Sequence, residues 1–147
     1  MPKFPSCFPD NFVEEILPKE AKEEAHLGYR VAKYGLDDPA SFASTYVEWI
    51  AERKPVGRLK PNLFSTSLFD SMEYTKYILS ITMQDDEHPK PKACLVRGST
   101  EPSCGPSLVG DLKPRKTRNG LVYCRHIDWW IYEDARPWEY FEKVGDD

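Results

Sequence analysis

Val122-Tyr123-Cys124-Arg125-His126-Ile127-Asp128-Trp129-Trp130-Ile131-Tyr132 is the stretch from which the rest of the fold is read. β-Branched and aromatic side chains dominate it, and these suit a pleated, half-buried surface better than a helix. Side chains alternate along a strand, so parity divides the stretch into two faces. One face carries Val122, Cys124, His126, Asp128, Trp130 and Tyr132; the other carries Tyr123, Arg125, Ile127, Trp129 and Ile131. The odd-numbered face is apolar toward its end and is expected to meet the core. The even-numbered face sets Cys124, His126 and Asp128 in a row. Trp129 and Trp130 fall on opposite faces, so one of them needs cover from a C-terminal helix, from the segment 99–120, or from a partner. Glu133-Asp134-Ala135 then turns the chain, and Pro137 suits the first turn of a short helix.

The 147 residues make one domain by length, enough to bury roughly two thirds of the unfolded surface without a metal or disulfide staple. Aromatic content of 13% argues for a packed core despite 30% charged residues. The net charge of −4 argues against bulk nucleic-acid binding and leaves room for a local basic patch. No apolar run reaches the roughly 18 residues of a membrane span, and Met1-Pro2-Lys3-Phe4-Pro5-Ser6-Cys7 lacks the apolar core of a signal peptide. A cytoplasmic protein is the expectation. Cys7, Cys94, Cys104 and Cys124 lack the two-to-four-residue gaps of structural zinc sites. They read most simply as thiols. A zinc set of Cys94, Cys104, Cys124 and His126 is the alternative, without support from spacing.

Along the chain, residues 1–9 hold three prolines and are expected to be an extended lead-in. Asp10 caps an expected helix through Phe12, Val13, Ile16 and Leu17, which Pro18 breaks or restarts, and Lys19 to His26 reads as a solvated helical face. A short strand runs over 29–34. Asp38-Pro39 starts a helix over 39–52, with Phe42, Tyr46, Trp49 and Ile50 at helical spacing. Leu63 to Ser67 reads as a short strand or turn entry, then comes helix 68–80, with a switch to a strand near 77–81 as the alternative, and then strand 93–98. Ser99 to Gly120 has little periodicity and is expected to be a long loop over the C-terminal strand, and loops of that length are often functional. Asn119-Gly120 marks a turn just before that strand.

Three groups of residues carry chemistry. On the long segment, Ser99, Thr100, Glu101, Cys104 and Ser107 offer hydroxyls, a carboxylate and a thiol. Folded over the even-numbered face, they bring a nucleophile toward His126 and Asp128. The plainer reading buries Cys104 and satisfies His126 with backbone groups. Basic residues Lys113, Arg115, Lys116 and Arg118, near Tyr123 and the tryptophans, form a surface for phosphates, bases or an acidic protein. A solubilising loop is the plainer account of these.

The third group is Phe64-Ser65-Thr66-Ser67-Leu68. A Ser-Thr-Ser triplet on a strand, with Arg30 on an earlier strand and a late glutamate, resembles the pattern of ADP-ribosyltransferases. The resemblance implies that Arg30 and the triplet hold NAD and that the glutamate activates the acceptor or the ribose. It covers these few positions. The family's Glu-X-Glu or Gln-X-Glu ending is not present, and Glu133 is the nearest substitute. Without the resemblance, the triplet reads as a helix N-cap before Leu68.

Together these readings give a single compact α+β domain, a small mainly antiparallel sheet of about four strands (29–34, 63–67, 93–98, 121–132). Helices 11–25, 39–52, 68–80 and 137–143 pack it. The leading functional expectation is a binding protein for another macromolecule, a protein ahead of a nucleic acid, with no cofactor and no membrane. Its surface would be Arg97, Ser99, Thr100, Ser107, Lys113, Arg115, Lys116, Arg118 and Trp130. The alternative is a small enzyme, of Ser/Cys-His-Asp type or NAD-binding like the ADP-ribosyltransferases. Its cleft would lie between 99–107 and His126/Asp128, with Cys104, His126 and Asp128 as catalytic candidates.

Overall fold

A computed structural model describes Pro2 to Gly145. Six strands form one antiparallel sheet: β1 (Leu27–Ala32), β2 (Thr66–Phe69), β3 (Cys94–Ser99), β4 (Ser107–Val109), β7 (His126–Trp129) and β8 (Phe141–Lys143). Their order is β4-β7-β2-β1-β3-β8. A separate hairpin pairs β5 (Lys113–Thr117) with β6 (Gly120–Cys124) around the Arg118-Asn119 turn. Two α-helices, α1 (Thr45–Ala51) and α2 (Met72–Met83), and a π-helical turn at Phe12–Ile16 complete the regular structure besides short 3-10 turns. Among the described residues no helix is long and apolar enough to cross a membrane.

The expectation of about four strands packed by three to four helices is overturned. This is a mostly β domain with six strands in one sheet and two in another. The segment 99–120 was expected to be a loop, yet it supplies β4 and β5. β5, Lys-Pro-Arg-Lys-Thr, is largely exposed, so it needs no apolar alternation, and apolar alternation is what a sequence reading detects. The stretch 121–132 is not one strand. It breaks at Arg125, whose N–H donates to Asp70 Oδ1 at 2.7 Å while its carbonyl accepts from Asp70 N–H at 3.2 Å. The break sends β6 into the hairpin and β7 into the main sheet.

The helices shrink for local reasons. The expected helix 11–25 is only the Phe12–Ile16 turn, and the chain leaves it extended at Leu17, immediately before Pro18. Lys22 beyond it makes a bridge to Ser107 instead of a helical turn. The expected helix 39–52 divides: Asp38 caps a 3-10 turn at Pro39–Phe42, and Ser44 caps α1 by accepting from Val47 N–H at 3.2 Å. Leu68 belongs to β2, and α2 begins after Ser71, which accepts from Tyr74 N–H at 3.1 Å. The expected C-terminal helix is a 3-10 turn, Pro137–Tyr140, running into β8.

Parity along β7 holds. Ile127 and Trp129 enter the main core with Ala32, Phe42, Leu68, Val96, Cys104 and Phe141. Trp130 faces a second core with Phe8, Phe12, Ile16 and Phe64. Both tryptophans are buried, and each indole N–H finds a carbonyl: Trp129 on Gly105 at 3.1 Å, Trp130 on Pro61 at 2.9 Å. The cover over Trp130 is the proline-rich N-terminal segment, held by a run of ring contacts from Phe4 through Phe8 and Phe12 to Phe64. The N-terminal lead-in is therefore a layer of the fold.

Gly105 sits where the turn after Pro102–Cys104 meets β7's end. Its φ of 145° lies in a region side chains rarely adopt, and a Cβ there would run into the Trp130 carbonyl. Gly105→Ala is expected to lower stability by about 3 kcal/mol. Gly57→Ala, with nothing near its Cβ, serves as the near-neutral control. Urea unfolding midpoints measure both, and equal midpoints would contradict this packing.

Candidate functional site

Three neighbouring strands, β1, β2 and β7, bring the chemically active side chains together. Antiparallel pairing aligns Ser67 with Asp128 and Phe69 with His126, so these four side chains share one face. Ser65, two residues before Ser67, lies on that face as well. Its hydroxyl donates to Asp128 Oδ1 at 2.5 Å, while Asp128 Oδ2 stands 3.7 Å from His126 Nδ1. The two carboxylate oxygens are thus divided between a serine on one side and an imidazole on the other.

Arg30 approaches from β1. The two central strands β1 and β2 share a single backbone pair, Tyr29 with Phe69, and beyond it the ladder does not continue. The Arg30 guanidinium stands in that gap. Its Nη1 donates to the Ser67 carbonyl at 2.7 Å and its Nε to the Ser41 carbonyl at 2.9 Å. Burial pulls its pKa down to about 10, with Glu48 acting in the opposite direction, so the group remains a cation at neutral pH. Both of its hydrogen bonds go to neutral carbonyls, and Glu48 is paired with Lys33 at 3.5 Å. Besides these carbonyls the guanidinium stands 6.0 Å from the centre of the Phe42 ring and interacts with the Glu48 carboxylate, which lines the same cavity as Arg30. Arg30, Ser65 and Ser67 line a cavity of about 210 Å³ with Val31, Ala43 and Thr45. Thr66, of opposite parity, lines a second and mainly apolar cavity of about 310 Å³ with Phe8, Phe42 and Trp138.

The hairpin closes the other side. Arg115 lies over the rings of Phe69 and Tyr74, at 5.1 and 5.6 Å, and its buried Nε has no hydrogen-bond partner. His126 packs against Phe69 with ring centres 5.1 Å apart. Burial pushes its pKa below the ordinary histidine value; Asp128 opposes this, and Arg115 and Lys113 reinforce it. The imidazole is therefore neutral at pH 7 and able to accept a proton.

The long-segment candidates are placed otherwise. Cys104 is buried in the main core with Ile127 and Trp129, the face opposite His126, and burial raises its thiol pKa. It does not meet the imidazole. Thr100 and Ser107 are buried, and both bond the Glu24 carbonyl, which pins the 22–26 segment to the sheet. Ser99 ends β3 opposite Leu27, and Arg97 makes an exposed ion pair with Glu142 at 2.6 Å. Trp130 is inside the second core and presents no surface. Lys113 and Lys116 on β5 and Arg118 at the turn are exposed, while Arg115 is folded inward. No three of the His, Cys, Asp and Glu side chains gather as metal ligands among the described residues, so the zinc set Cys94, Cys104, Cys124 and His126 does not form. Glu133 is held by the N-terminal segment through Ser6 N–H at 3.3 Å, and the carboxylate bonded to the triplet is Asp128.

No protein-family model, curated protein or solved structure matches the chain.

The depressed His126 has a measurable consequence. On acidification the unfolded chain takes up this proton before the folded one, so stability rises with pH just below the ordinary histidine value. His126→Gln is expected to flatten the stability curve in the window just below pH 6.5. Urea midpoints across that window test it, and an unchanged slope would contradict the burial of a neutral imidazole.

Proposed function

We propose that this chain is an enzyme that binds NAD and transfers its ADP-ribose to an acceptor on a protein. The observation that carries the reading is the placement of Arg30, Ser65, Ser67 and an acid on neighbouring strands, with Ser65 bonded to Asp128 at 2.5 Å and Thr66 turned to the other face. This is the set that the resemblance to ADP-ribosyltransferases calls for, with Asp128 in the role first given to Glu133.

Each residue has a physical part to play. NAD carries an anionic pyrophosphate, and Arg30 offers a guanidinium already oriented by two carbonyls, with Glu48 as its counter-charge. Loss of neutral nicotinamide leaves positive charge on the ribose, and a fixed carboxylate beside it stabilises that charge without reorganisation. Ser65 fixes Asp128 for this task. The 210 Å³ cavity lies below the roughly 300 Å³ at which drug-sized sites begin, so it takes one portion of the dinucleotide and the remainder lies over the surface.

A protein acceptor suits the hairpin. Leu121 and Tyr123 on β6 are 60% and 63% exposed, and Lys116, which pairs with Leu121, and Arg118 at the turn lie beside them. Large exposed side chains ringed by charge are typical protein-contact anchors. The same surface supports the second reading, a binding protein without catalysis.

The test is nicotinamide release from NAD, followed by chromatography. The wild-type chain is expected to release it, Asp128→Asn to be slower by about 10²- to 10³-fold, and Arg30→Lys to raise the NAD concentration required. No release by the wild type, with no binding of NAD, would overturn the enzymatic reading and leave the binding protein.

A further inference from the structure

We infer that the apolar cavity on the Thr66 side of β2 is a second binding site, and that it takes a small arylalkylamine, with a two-ring aromatic body inside and an ammonium at the rim. The inference stands apart from the transferase reading, because Thr66 lines this cavity while Ser65 and Ser67 line the other. The N-terminal segment, the stretch from Pro39 to Val47, the chain just after β7 and the Pro137–Tyr140 turn meet around it. The enclosed volume is about 310 Å³. A cavity of roughly 150 Å³ with apolar walls is enough for one benzene ring, so this one has room for two fused rings. That size stands at the lower end of small-molecule sites, which begin at roughly 300 Å³.

The walls suit an aromatic body. Phe8, Phe42, Val47, Phe64, Ile131 and Trp138 supply rings and branched side chains. The hydroxyls between them are already engaged: Thr66 donates to the Phe42 carbonyl at 2.6 Å, and Ser44 accepts from Val47 N–H at 3.2 Å. The interior therefore rewards apolar contact over new hydrogen bonds.

Glu133 sets the charge of the ligand. No other Asp, Glu, Lys, Arg or His lines the cavity. The N-terminal segment holds Glu133 in place: Ser6 N–H donates to its Oε1 at 3.3 Å, and its own N–H donates to the Lys3 carbonyl at 2.7 Å. Glu133 is exposed, as are Ser6 and Cys7 beside it, so the carboxylate stands at the open rim. Among the described residues no cation pairs with it. Arg136, over the Trp138 ring at 5.9 Å, is paired with Glu139 at 3.8 Å. A carboxylate without a counter-ion at the mouth of an aromatic pocket attracts an ammonium and repels an acid. The same apolar body carrying a carboxylate is thereby turned away.

The experiment titrates the full chain at low salt with 2-naphthylmethylamine, 2-naphthalenemethanol and 2-naphthoate, which share a body and differ in charge. Calorimetry gives the affinities. The amine is expected to bind about fivefold more tightly than the alcohol, and the acid more weakly than the alcohol by about the same factor. Glu133→Gln keeps an oxygen for Ser6 N–H and should bring the three probes within about twofold of one another. Val47→Phe fills the cavity and should weaken all three by about tenfold or more. In the wild type, proton NMR should find the naphthalene ring in contact with the Trp138 indole and the Val47 methyl groups, a readout that does not depend on a variant folding. No binding of the amine, or contacts placed elsewhere on the protein, would overturn the site. Equal affinities for the three probes in the wild type, or an amine preference that survives in Glu133→Gln, would overturn the ammonium.

Discussion

The structure depends on one central strand whose odd-numbered face is fully buried while its even-numbered face is half-buried. β7 is only four residues long, yet it pairs with β2 on one side and β4 on the other. Ile127 and Trp129 fill one core, and Trp130 just beyond it fills the second. Fully burying a side chain of this size is worth about 1.5–3 kcal/mol, and here neighbouring residues contribute to opposite layers. A shift of register by one residue would exchange those layers and place His126 and Asp128 in the main core, uncompensated. The register is therefore strongly determined. The alignment of Asp128 with Ser67 follows from it.

The same constraint explains why the polar groups gather where they do. Between the two cores, the even-numbered face of β7 is left for Asp128 and His126, and the pairing to β2 sets Ser65, Ser67 and Phe69 against them. On the far side of β2 the ladder to β1 stops after a single pair, and the Arg30 guanidinium supplies the hydrogen bond that the ladder does not. An arginine used only to mend a gap in a sheet is a costly device, because its charge must be desolvated. That cost is in keeping with a site that has a use for the charge.

Part of this was legible in the sequence. The parity of 126–131, the cap at Asp38, and strands near Arg30 and 93–98 follow from alternation and capping chemistry, which are local, whereas the strand expected at 63–67 lies at Thr66–Phe69. The triplet and Arg30 were also visible as a pattern. The carboxylate beside the triplet was not, because it depends on which strand pairs with β2, a non-local choice that neither Glu133 nor Asp128 announces. Arg125 gave no sign that it would break the strand, since the cause is Asp70, 55 residues away. The N-terminal aromatics escaped notice because their three prolines mask a layer held by ring packing instead of backbone hydrogen bonds.

Backbone amide NMR of the chain during titration with NAD tests the central claim most directly, because it locates the ligand independently of turnover. Shifts concentrated at Arg30, Ser65, Thr66, Ser67 and Asp128, with saturation on adding NAD, are the predicted result. An unchanged spectrum, or shifts confined to the apolar cavity of Phe8 and Trp138 with Arg30 and Asp128 unmoved, would contradict the account.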